Sequence, residues 1–153
     1  PGVGGAYGAY TPWYEALKDP GFNQMKYIKN LMLTFPFFER VPDQSIIAGE
    51  NGGKNNRAIA TRGNDYMLVY AYIGNEMNID LTKIKGKKKK AWWYNPSNGQ
   101  LRYIGEFANK VTRFTPAKRQ GPANDWVLIV TDATQSYVQP EWAVLPDAQL
   151  QKK

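Results

Sequence analysis

The sequence predicts a mainly β protein, an antiparallel β-sandwich preceded by one or two α-helices. Three observations point there. Apolar residues recur at three- and four-residue spacing before about residue 42 and in short runs after it. Those later runs are divided by Gly, Pro and Asn turn signals at intervals typical of a sandwich. The 153 residues also include 14 Gly, 10 Pro and 14% aromatic residues, a composition suited to short strands and many turns.

The elements follow in order. Thr11-Pro12-Trp13-Tyr14-Glu15 reads as a helix start, with Thr11 as cap and Pro12 in the first turn, where no donor is missed. This short helix should stop before Asp19-Pro20-Gly21. A second helix is expected from about Phe22 to Thr34. Phe22, Met25, Ile28, Leu31, Met32 and Phe35 form one stripe, Gln24, Lys26, Lys29 and Asn30 fill the other side, and Pro36 ends the helix. Such a stripe needs a partner surface, and the short flanking segments offer little.

Beyond Pro42, Ser45 to Ala48 reads as a brief strand and Glu50 to Asn56 as a loop. Arg57 to Arg62 alternates, with Ala58, Ala60 and Arg62 on one side. Tyr66 to Ile73 is apolar on both faces and therefore central. Met77 to Leu81 follows. Lys87 to Tyr94 and Leu101 to Phe107 form a hairpin about the turn Asn95-Pro96-Ser97-Asn98-Gly99. Val111 to Phe114 and Asp125 to Thr131 complete the set.

The absent residue types limit the chemistry. Without Cys or His there is no thiolate nucleophile, no Ser-His-Asp triad and no Cys/His zinc site. No metal, cofactor or catalytic residue is expected. No apolar run approaches the roughly 18 residues of a membrane span. The opening PGVGGAYGAY has no Met and no basic segment ahead of an apolar stretch, so it reads as a processed chain or a cut piece. Its glycines lack a preceding strand and a Gly-Lys-Ser/Thr, so they form no phosphate loop.

The net charge of +7 invites a nucleic-acid reading, but its distribution argues against one. Lys87 to Lys90 form one run and Lys152 and Lys153 end the chain, so nearly all the excess sits in one block and one tail. The run reads either as an edge strand guarded against edge-to-edge pairing or as a polyanion site. In Trp92-Trp93-Tyr94, strand parity puts Trp92 and Tyr94 on one face and Trp93 on the other. These three are candidate sugar or interface contacts: one face core, the other an anchor for a neighbouring domain or a carbohydrate platform. Asp125 reads as an acceptor in its loop. As a catalytic acid it would need a second carboxylate nearby, for which Asp132, Glu106 and Asp80 are the choices.

Five segments carry a resemblance: Pro20 to Lys29, Phe38 to Ser45, Ile59 to Gly63, Trp93 to Gly99, and Asn124 to Leu128. In order and spacing they resemble the C-terminal part of bacterial glycoside hydrolases, in which a (β/α)8 barrel precedes a β-sandwich labelled a "putative collagen-binding domain". The nearest likeness is to glycoside hydrolase family 140, which releases apiose from the pectin rhamnogalacturonan II. The resemblance implies that residues 1–41 end the barrel, 42–132 form the sandwich and 133–153 form a tail. It implies a non-catalytic piece whose partner is its own missing barrel, with plant polysaccharide as the substrate of the whole. Nucleic acid and a membrane span are not implied, and the location would be periplasmic or extracellular. Tyr7 and Trp13 would lie in a loop at the rim of the barrel's site. The alternative is a carbohydrate- or matrix-binding module.

Overall fold

The structure, a computed structural model, describes residues 12–117 and 124–137. Helix α1 spans Trp13–Ala16 and α2 spans Pro20–Thr34. Pro20 opens α2, where its missing N–H costs nothing. Phe35 leaves the helix in an extended conformation ahead of Pro36. Thr11, the expected cap of α1, lies outside the described residues. The strands are β1 (Val41–Pro42), β2 (Ala58–Arg62), β3 (Tyr66–Ala71), β4 (Met77–Asp80), β5 (Lys88–Tyr94), β6 (Leu101–Ala108), β7 (Val111–Phe114) and β8 (Trp126–Asp132). All pair antiparallel. Six form one sheet in the order β1-β2-β3-β8-β5-β6, while β4 and β7 form a small second sheet.

The sandwich is therefore lopsided, and the large sheet has two differently covered faces. Its inner face meets β4 and β7. Met67, Val69, Ala91, Trp93, Leu128 and Val130 project there and pack with Ile79 and Phe114 of the small sheet. Trp93 meets Trp126 edge-on at 6.2 Å between ring centroids, and Phe107 reaches across to Phe114 at 5.0 Å. On the outer face, Tyr66, Leu68, Tyr94, Val127 and Ile129 pack with Leu31 and Phe35 of the helical segment.

Two tyrosine hydroxyls fasten α2 and its exit to this outer face. Tyr94 donates to the Tyr27 carbonyl at 2.9 Å, and Tyr66 donates to the Pro36 carbonyl at 2.7 Å. Burial, reinforced by Tyr27, pushes the Tyr94 phenol above its ordinary range, so it remains a neutral donor. Phe35 stacks on Tyr66 at 4.7 Å. Tyr137 closes over both rings at 5.5 and 5.9 Å and donates to Asp65. The first residues after β8 are thus tied to the helical segment. Gly99, at φ +72°, ends the β5–β6 turn directly against Tyr27; a Cβ there would lie 2.5 Å from the ring.

Two expectations need correction. Ser45 to Ala48 is not a strand. A 3-10 turn at Gln44–Ile46 replaces it, because the Asp43 carboxylate accepts from the Ser45 N–H at 3.0 Å and the Ser45 hydroxyl at 2.6 Å. The end of the segment still touches β4, where Ile47 bridges to Ile79 and the Ala48 N–H donates to the Asn78 carbonyl at 2.9 Å. The lysine run is not an edge strand either. β5 lies between β8 and β6, and Lys89 is fully buried on the inner face. Its ammonium donates to the carbonyls of Ile84, Lys85 and Gly86, so the stem lies in the core while the charge is held by backbone oxygens. Among the described residues the edge on this side of the sheet is β6, kinked where Ile104 is inserted between Tyr103 and Gly105 opposite Trp92 and Ala91.

Candidate functional site

The sequence-predicted site residues separate. Tyr7 lies outside the described residues, and Trp13 lies in α1. Trp93, 4% exposed, is enclosed between the sheets, and Tyr94 is covered beneath α2. Neither offers a surface to a sugar. Trp92 is half-buried on the outer face, tilted against the exposed Tyr103 at 5.5 Å. The two rings are inclined by 52°, so they form no flat platform. The inserted Ile104 lies on β6, so β5 runs unbroken against β8 and the three aromatics alternate.

The carboxylates considered for catalysis are dispersed. Asp80 accepts from the Thr82 N–H and hydroxyl at 3.0 and 2.6 Å and caps a 3-10 turn. Glu106 is exposed on β6. Asp125 precedes β8 and Asp132 ends it, so strand rise separates those two by about 23 Å. Among the described residues no group of three His, Cys, Asp or Glu is placed to hold a metal ion.

What the structure does bring together is an apolar surface. Leu31 and Phe35 face the sheet, but Phe22, Met25, Ile28 and Met32 remain exposed along α2. Phe37 and Phe38 follow in a 3-10 turn, edge-to-face at 5.8 Å, with Phe38 100% exposed. A groove of about 310 Å³ continues the surface between α2 and the sheet, from Ile28 and Met32 to Ile59, Leu68 and Val127. Arg40 fixes the far end of the helix. Its guanidinium donates to the Met32 carbonyl at 3.0 Å, an acceptor that the last turn leaves unmatched. Exposed apolar area this continuous marks a contact surface rather than scattered surface residues. The helical spacing of Phe22 to Phe35 carried this signal in the sequence; Phe38 and Ile59 did not, because each joins the surface only through the fold.

Comparison with known proteins follows the same lines. Residues 41–131 match the family described as "Putative collagen-binding domain of a collagenase". A solved structure named "Glycoside hydrolase" is 62% identical, with a TM-score of 0.79, over 90% of this chain and 31% of its own. A second, named as a glycoside hydrolase family 5 protein from Bacteroides vulgatus ATCC 8482, is also 62% identical, with a TM-score of 0.80, over 92% of this chain and 30% of its own. The chain thus spans under a third of the length of either. No curated protein matches it. No helix among the described residues is long and apolar enough to cross a membrane.

Proposed function

The chain belongs to the family of that collagen-binding domain, and from this premise we propose that it is the non-catalytic C-terminal portion of a larger, polysaccharide-degrading glycoside hydrolase. The observation that carries the reading is the exposed stripe Phe22, Met25, Ile28 and Met32, continued by Phe38, on a chain that spans about 30% of its glycoside hydrolase neighbours. A helix with one apolar side on the sandwich and another left bare supports two bodies at once. Residues 1–41 end the (β/α)8 barrel, 42–132 are the sandwich that braces it, and 133–153 are the tail. Tyr7, and Trp13 at the start of α1, belong to the rim of the barrel's site. The whole enzyme works on plant polysaccharide in the periplasm or outside the cell.

The finer assignment is to family 140 and apiose release, supported by the five ordered segments, whereas one neighbour carries the name of family 5. Two measurements test the proposal. The upstream portion of the parent, expressed separately, should form a one-to-one complex with this chain in light scattering, and Ile28→Glu should abolish it. Failure of the wild-type pair to associate overturns the bracing role. The chain alone should turn over no glycoside, while the full parent should release apiose from rhamnogalacturonan II. Release of a different sugar would discard family 140 and leave the bracing role standing.

A further inference from the structure

A cavity of about 420 Å³ lies at the end of the sandwich where the loop 47–56 meets the β3–β4 connection. Its floor is apolar: Ile47, Ala58, Ala71 and Met77, all members of the inner core. Its rim is rich in amides, with Asn55, Asn56, Asn75 and Asn78 exposed around it, and Tyr72 stands exposed at one side. Among the described residues the Asn55 and Asn78 side chains and the Tyr72 hydroxyl make no hydrogen bond. They are donors and acceptors with capacity to spare.

The loop is held in shape. The Asn51 side chain pairs with the backbone of Ala58 in both directions, accepting from its N–H at 2.8 Å and donating to its carbonyl at 2.9 Å. Asn75 donates to Asn56 at 3.3 Å, joining the two loops across the cavity mouth. Lys54 holds φ at +51°, a region costly to any residue but glycine, and such strain collects where a loop shape is used. The lining carries the carboxylates of Glu50 and Glu76 and the guanidinium of Arg113, which Glu76 engages, with Nε donating at 3.1 Å. Among the described lining residues a phosphate or carboxylate would meet two carboxylates and a single guanidinium that is already paired.

We infer that this cleft binds one unit of a neutral oligosaccharide. An amide offers a donor and an acceptor side by side, which matches a pair of neighbouring hydroxyls. A tyrosine ring beside an apolar floor receives the C–H face of a pyranose or furanose. The cleft is independent of the docking surface. Ala58 pairs with Ala71 on the inner face, whereas the next pair, Ile59 with Tyr70, faces the groove under α2. The inference therefore goes beyond the bracing role, and sugar would reach the cleft with the helix face covered.

The test is titration of the chain, by calorimetry and by amide chemical shifts, with xylotetraose, arabinotetraose, mannotetraose and cellotetraose. Tetragalacturonate is the charged control, and a triple-helical collagen peptide is the protein control. At least one neutral tetrasaccharide should bind saturably, with shifts centred on Tyr72, Asn75 and Asn78. Tyr72→Ala and Asn78→Ala should each weaken it at least tenfold, while Trp92→Ala and Ile28→Glu leave it within twofold. If Tyr72→Ala does not fold, the exposed Asn55→Ala carries the same test. No saturable binding, binding indifferent to these variants, or shifts at this cleft with the collagen peptide alone would each overturn the inference.

Discussion

Leu128 and Ile129 are neighbours on β8, both without exposure, yet they belong to different cores. Leu128 looks inward to a face closed by a second sheet and by the turns that carry Ile46, Leu81 and Ile84. Ile129 looks outward to a face that α2 covers only in part, with an open groove beside the helix. The difference separates two tasks that apolar residues perform. The inner face is complete and accounts for folding of the module. The outer face is apolar beyond what its own helix covers, and the proposed bracing role rests on that surplus.

The comparison breaks most readily at Trp93. Truncation to Ala should cost about 3–5 kcal/mol in urea unfolding, because the closed face cannot collapse around the space. Trp92→Ala should cost far less in the isolated chain, since the half-buried ring leaves by an open side. Equal losses would mean that the two faces are not distinct. Leu31→Ala should fall between them at about 2 kcal/mol, the low end for a buried leucine, because the adjoining groove lets the site relax.

A smaller effect distinguishes the faces by pH. Arg62 donates to Asp43 at 2.6 Å, and the bonds from Ser45 and then Arg62 hold the Asp43 carboxyl at about 2, below its ordinary 3.8. A depressed carboxylate pKa stabilises the fold above pH 3.8, and that contribution is lost as pH falls through about 2. The wild type should therefore lose about 1–2 kcal/mol more than Asp43→Asn across this window, allowing for partial exposure of the pair. An identical acid limb in both proteins would remove the Asp43 cluster from the account. Least of all, Met25→Glu and Ile28→Glu should move the stability of the chain by no more than about 0.5 kcal/mol. Any larger loss would show that the helix stripe is core and not contact surface.

Much of this was legible in the residues. Turn signals such as Asn95 to Gly99 bounded the strands, and the unbroken apolar run from Tyr66 marked the central β3. Parity alone separated Trp93 from Trp92 and Tyr94. The helix stripe from Phe22 to Phe35 is apolar on a side that the structure leaves partly exposed. The failures were of another kind. Ser45 to Ala48 looked like a strand because its apolar residues are visible in sequence, while the Asp43 cap that rolls it into a turn acts through side-chain geometry. The lysine run looked like an edge because charge predicts solvent; nothing local reveals that three carbonyls from residues 84–86 converge on one ammonium. The amide-rimmed cleft was invisible for a similar reason. Asn51, Asn55, Asn56, Asn75 and Asn78 each read as turn residues, and only the fold sets two separate loops around one floor.

The buried ammonium of Lys89 gives the protein an internal clock for acylation. Lys87 and Lys88 are exposed and Lys90 is half-buried, so amine-reactive reagents meet them in the folded state. Lys89 shares their chemistry and their peptide, but its nucleophilic nitrogen is shut in behind β5 and the 84–86 carbonyls. It becomes reactive only when the inner core opens, and core opening requires free energy close to that of global unfolding. The four lysines thus form a ratio reporter within one proteolytic fragment, three sites counting exposure to reagent and the fourth counting excursions from the native state.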